Sequence, residues 1–331
     1  MFFTKSEIQN LRNNPLPQNL VGTLLYAANS IATAKAESRN TPLKKMLTEI
    51  ILIDEIRYLN AYYGKDYSHK DILFAFCTEG MSGLHSQIEL VKKCARYAES
   101  MKNIYKILPA TDFLKIHDAL MKSDTAILKN HIDSAQSVLT DDVWQILNDF
   151  YSPNVEVPML LKLALLWSEL EDGFFDTVIH LFSKDLMLTF ALNNSFEMNN
   201  LSLFAAKQII ARKPRTETIE AYVIYFLQAL SEAAFSKMDL IIQLDFFANK
   251  IKDELNDKIP KLNSDNILSL LNNHLLINNA MAEELLRVSA KTTISYLKQL
   301  EEIGILKSER VGRELYYINS YFMSYIEKDF R

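Results

Sequence analysis

The segment Phe174–Asp185, FFDTVIHLFSKD, brings one histidine, one lysine and two aspartates close together. Histidine titrates near neutral pH, so His180 is the residue there that would act as a general base, with Lys184 as a phosphate ligand. The neighbours argue the other way. Large apolar side chains surround His180, and the stretch has no glycine to let a backbone approach a polyphosphate. A lone histidine among Ile179, Leu181 and Phe182 reads more simply as a partly buried structural residue. No catalytic residue is assigned, and the chain leans away from being an enzyme.

A second group of chemical side chains lies near the C-terminus. In RVSAKTTISYLKQLEEIGILK, Ser289 is placed to cap a helix, and Thr293, Leu297, Leu300 and Ile303 recur on an inward face. Lys291, Thr292, Ser295 and Lys298 then fall outward near the helix start, where a major-groove helix touches bases and phosphates. Beyond it, two short β-like runs, 306–310 and 313–318, turn at Val311-Gly312 and offer Lys307, Arg310 and Arg313 to a nucleic-acid backbone.

The elements needed to position these residues are helices. Apolar residues recur at three- and four-residue spacing almost throughout, as in Leu43, Met46, Leu47, Ile50 and Ile51, continued by Ile53 and Ile56. The run PMLLKLALLWSEL, from 158 to 170, is apolar nearly all round and belongs at the centre of a helical domain. One long helix is expected from about 216 to 237, with a second helical stretch, 239–257, after it. At Pro260 the character changes: IPKLNSDN holds a proline and four capping residues, the signature of a linker before a new helix. Helices over 267–273, 280–286 and 290–303 followed by a hairpin give the outline of a winged helix-turn-helix. The fold class expected is therefore mainly α.

Composition agrees. Seven glycines among 331 residues is about 2%, against a usual share of about 7%, which disfavours sheets and phosphate-cradling loops. Net charge is −5, so no global field steers the chain to nucleic acid. From Leu262 onward eight Lys/Arg face nine Asp/Glu, a net of −1, which is poor for a phosphate-binding surface. Winged helices also serve as protein-interaction modules, so a protein partner stands beside DNA. The cysteines, Cys77 and Cys94, have no metal-ligand or disulfide-framework spacing, and no metal or cofactor is expected. The tyrosines Tyr58, Tyr62, Tyr63 and Tyr67 read as aromatic helix packing. LVGTLLYAANSIATA, residues 20–34, imitates a signal peptide, but Asn29 and Ser30 interrupt it, and no apolar run is long enough for a membrane span. A cytoplasmic address and no membrane partner are expected.

Several segments resemble one family. FLKIHDALMK (113–122) is similar to the IHxxL helix of Fic-domain proteins, PMLLKLALLWSELED (158–172) to the apolar helix leading into their active loop, and TIEAYVIYFLQALSEAA (218–234) to a later helix in which Tyr222 stands where tryptophan is common. A C-terminal winged helix is frequent in that family. The resemblance implies an all-helical domain that transfers AMP from ATP to a protein hydroxyl through the motif HPFxxGNGR. Here Phe174 stands at the histidine, Phe175 at the proline and Asp176 at the phenylalanine, and 178–184 cover the glycine-rich part with neither glycine nor arginine. The family's inhibitory motif, (S/T)xxxE(G/N), has its nearest match at Leu59–Gly64, which lacks both serine and glutamate. The expectation is a degenerate Fic-like protein: a helical region over 1–105 packed on a Fic-like core over 106–259, then a winged helix-turn-helix over 263–331. It would act as a regulatory homodimer binding DNA or a protein. An active adenylyltransferase with an unusual loop, and a plain transcription factor with a sensing body, remain as alternatives.

Overall fold

The computed structural model describes residues 14–62, 67–77, 158–171, 218–262 and 265–328, with 6, 7, 10, 11 and 88 besides. These residues are mainly helical. Helices α1 (Gln18–Asn40), α2 (Lys44–Tyr62), α3 (His69–Cys77), α4 (Met159–Glu171) and α5 (Ile219–Lys258) precede a 3-10 turn at Pro260–Leu262. After it come α6 (Asp265–Asn273), β1 (Leu276–Asn278), α7 (Asn279–Leu286), α8 (Ala290–Glu302), β2 (Leu306–Val311), β3 (Glu314–Asn319) and α9 (Ser320–Lys328). No described helix is long and apolar enough to cross a membrane.

Helix α5 is the spine. It runs unbroken for 40 residues, about 60 Å at 1.5 Å per residue, where the sequence suggested two successive stretches. Nothing between 237 and 239 breaks a helix, and burial of Lys237, Leu240, Ile241 and Leu244 carries the packing through. Thr218 caps its start, the hydroxyl oxygen accepting from the Ala221 amide at 3.3 Å. Pro260 stops it, as expected. Its first half is buried nearly all round, with Tyr222, Val223, Phe226 and Leu230 in the core.

Helix α1 lies along α5 in the same direction. Asn19 Nδ2 donates to Glu220 at 2.8 Å near both starts, and Thr41 Oγ1 donates to Asp245 at 3.2 Å just past the end of α1. The α4 core candidate is confirmed: Leu160, Leu161, Leu163, Ala164, Leu165 and Trp167 are all buried, and the Trp167 ring lies 6.2 Å from that of Phe226. The α2 stripe is largely as read, with Leu43, Met46, Leu47, Ile50, Ile53 and Ile56 buried, while Ile51 is only half-buried.

The C-terminal unit follows the expected order, with two additions. β1 adds a third strand to the hairpin, giving an antiparallel sheet of order β1-β3-β2, and α9 returns to the spine. Phe247 of α5 packs its ring against Tyr321, Phe322 and Tyr325 of α9 at 6.0, 6.1 and 6.4 Å. The Tyr321 hydroxyl donates to Glu254. Burial, with that bond, pushes the Tyr321 phenol up to about 12. Asn319 ties the sheet to α6, its Nδ2 donating to the Leu271 carbonyl at 3.0 Å.

Candidate nucleic-acid interface

Two short helices set up the outward row of side chains. α7 is capped by Asn278, whose side-chain oxygen accepts from the Met281 amide at 2.8 Å. It ends at Arg287, which holds the left-handed conformation at φ 55°. Two residues later Ser289 caps α8, accepting from the Thr292 amide at 3.3 Å. Thr293, Leu297 and Leu300 are buried beneath α8, and Ile303 packs half-buried at its end. The inward face read from the spacing is therefore the observed one.

All six proposed contact residues lie at the surface: Lys291, Ser295, Lys298, Arg310 and Arg313 are exposed, and Thr292 is half-exposed. At 100° per residue, Lys291, Ser295 and Lys298 form one row along the middle of the outward face. Thr292 stands on its flank, with its hydroxyl 2.9 Å from that of Ser289. Ser295 Oγ accepts from Gln299 Nε2 at 3.2 Å, which fixes the orientation of that side chain.

The hairpin has a regular register from Leu306↔Asn319 to Val311↔Glu314. Gly312, the first of two turn residues, has φ 61°, and Arg313 keeps a negative φ; this matches a type II′ connection, which needs glycine at that place. Side chains alternate across the sheet. One face carries Lys307, Glu309, Tyr316 and Ile318. The other carries Arg310, Leu315 and Tyr317, the last close enough to Glu301 of α8 that its phenol is pushed up, first by burial and then by that carboxylate. Arg310 thus shares the α8 side of the sheet, and Lys307 lies on the opposite face.

That opposite face is covered by α3. Lys70 reaches Glu309 at 2.5 Å, and Phe74 meets Tyr316 edge-on at 6.1 Å. Glu314, on the same face, accepts from the Tyr316 hydroxyl at 2.5 Å. Glu301 accepts from the Ser308 backbone amide at 2.9 Å, so its carboxylate is held against β2. Among the described residues Lys291, Lys298, Arg310 and Arg313 make no ion pair. Three of the nearby acids are engaged elsewhere, whereas Glu302 stays exposed at the far end of the α8 row. Of these acids only Glu309 is paired with a cation; Glu301 and Glu314 keep their charge, and Glu283 and Glu284 of α7 are exposed as well.

Sequence reading missed Arg287. Its exposed guanidinium sits in the α7–α8 turn, beside the start of α8. The signal was its place at a helix end, where glycine or asparagine is usual. The segment 174–185, with His180 and Lys184, lies outside the described residues, as do His117 and the 113–122 helix. Among the described residues no group of three or more His, Cys, Asp and Glu could hold a metal ion.

Residues 247–322 match the family described as Protein adenylyltransferase SoFic-like, C-terminal domain. The match covers less than a quarter of the chain, begins inside α5 and runs to the start of α9. It supports the Fic resemblance at this end of the sequence. No curated protein matches the chain.

Proposed function

We propose that this chain is a catalytically degenerate Fic-like regulatory protein whose C-terminal winged-helix module binds DNA, with α8 in the major groove and the β2–β3 hairpin as the wing. The observation that carries the reading is the charge arrangement around α8. Lys291 and Lys298 stand on an exposed row with no ion pair among the described residues, Arg310 lies on the same side of the sheet, and the Glu309 carboxylate is turned away and neutralised by Lys70. The order helix, strand, helix, helix, hairpin supports the winged-helix assignment. A homodimer would double the phosphate contacts that each weakly charged module offers. The test is selection from a random duplex library by the full chain. Enrichment of a motif, lost in the double variant Lys291→Glu, Arg310→Glu, supports the reading. No enrichment, with cellular function intact in that variant, makes the module a protein-binding one.

The name of the matched family favours a second reading, an adenylyltransferase with a rebuilt loop. Against it stand Phe174 at the position of the catalytic histidine and the absence of glycine and arginine from 178–184. Incubation with labelled ATP and magnesium decides: we expect no label on the chain or on a lysate. Label that vanishes in His180→Ala would promote the transferase.

A further inference from the structure

On the outward side of α8 one residue does not fit a purely polar surface. Ile294 is 39% exposed, whereas Tyr296 of the same helix is half-buried against the hydrophobic core. Its place is well defined. It lies seven residues, two helical turns or about 10 Å, before Glu301 on the same row. Glu301 is held against β2, so this row is the one running beside the wing. Thr292 falls on the opposite flank, toward the Ser289 cap.

The neighbours of Ile294 narrow what could cover it. Lys291 lies three residues before it and Lys298 four residues after, which makes both its surface neighbours on the helix. Buried protein–protein contacts are depleted in lysine, because each ammonium would have to be desolvated. A DNA major groove asks for the reverse: cations at the phosphate edges, with an apolar group between them only where a thymine presents its C5 methyl. Isoleucine also has no donor or acceptor, so it contributes nothing to phosphate binding and can act only on a base.

We infer that Ile294 is a specificity residue that contacts a thymine methyl group, an inference resting on the DNA-binding reading of α8. The site the chain recognises then contains a thymine whose identity is read through its methyl group, beside bases read by Ser295.

The experiment uses the full chain and the best duplex selected from a random library. Each thymine of that duplex is replaced in turn by uracil, which removes only the methyl group. Burying one such group corresponds to roughly a four-fold change in affinity. One position should show about that loss with the unaltered chain and none with Ile294→Ser, while Lys291→Ala weakens both duplexes alike. Because Ile294 is exposed at 39%, Ile294→Ser should keep the circular dichroism of the parent and lower its Tm only slightly. If a motif is selected but no thymine is sensitive to its methyl group, or the sensitivity survives in Ile294→Ser, the inference fails and the DNA-binding reading stands. If no motif is selected, both fail together.

Discussion

The ammonium of Lys70 on α3 lies 2.5 Å from a carboxylate oxygen of Glu309 on β2. One turn along, Phe74 of α3 covers Tyr316 on the neighbouring strand. The outer face of the sheet, solvent-facing if the C-terminal unit stood alone, is here an internal surface between that unit and the body. Whatever the hairpin does, it does from a position set by α3.

The two contacts should differ in weight. The ion pair is partly exposed, with 43% and 29% of the side-chain surfaces accessible, so Lys70→Ala should cost less than about 1 kcal/mol. Phe74 is buried, and Phe74→Ala should cost about 3 kcal/mol from lost apolar burial and the cavity left behind. Chemical denaturation of the full chain measures both. Equal costs for the two would show that the ring contact does not form.

Arg287 gives a second prediction. A side chain at φ 55° in the left-handed region costs about 1–2 kcal/mol, part of which glycine would return as backbone entropy. Arg287→Gly should therefore raise stability by about 1 kcal/mol, and Arg287→Val should lower it. If Arg287 also contacts phosphate, Arg287→Gly raises Tm while weakening DNA binding, a combination that a purely structural role does not give.

A pH effect follows from His274, just after α6. Burial, then the Lys45 ammonium of α2 at 3.2 Å from Nδ1, pushes its pKa from 6.5 to about 4. Lysine can only donate, so the neutral imidazole accepts at Nδ1. The folded value lies below the unfolded one, so on acidification the unfolded chain takes up the proton first. This site's contribution is complete above about pH 6.5 and is lost as pH falls toward about 4. The difference in Tm between the parent and His274→Gln should shrink across that window. A constant difference would mean the imidazole titrates alike in both states.

What the sequence disclosed here, and what it withheld, divides along physical lines. Ser289 as a cap, Thr293, Leu297 and Leu300 as an inward face, and Gly312 as the hairpin turn depend on spacing within a few residues, and each was legible. β1 was not, because LIN is too short to show alternation and gains its hydrogen bonds only from β3, about forty residues later. The unbroken α5 was misread because Lys237 looks like a surface residue, yet it is buried and its pKa is driven well below the usual lysine value by that burial. The α3 contact was invisible for the same reason as β1. Nothing in HKDILFAFC says that Lys70 and Phe74 meet Glu309 and Tyr316, and only the tertiary fold puts them together.

The last prediction separates positioning from reading. Arg313 occupies the second turn position of the hairpin, exposed, with no ion pair among the described residues. If the proposed DNA-binding reading holds, a guanidinium at such a tip meets the phosphate backbone, which carries charge but no sequence. Arg313→Ala should weaken binding to every duplex by a similar factor and lower the salt slope by about one phosphate contact. Ser295 lies on the outward row of α8 with its hydroxyl oriented by Gln299, and a hydroxyl in the groove meets base edges. Ser295→Ala should change the order of preference among duplexes and leave the salt slope unaltered. With a net charge of −1 in the unit, the parent slope itself should be shallow, on the order of a few contacts. Titrations of a selected and a scrambled duplex at several salt concentrations measure all of this. If Arg313→Ala alters preference and Ser295→Ala alters only the salt slope, the assignment of wing and reading helix is reversed.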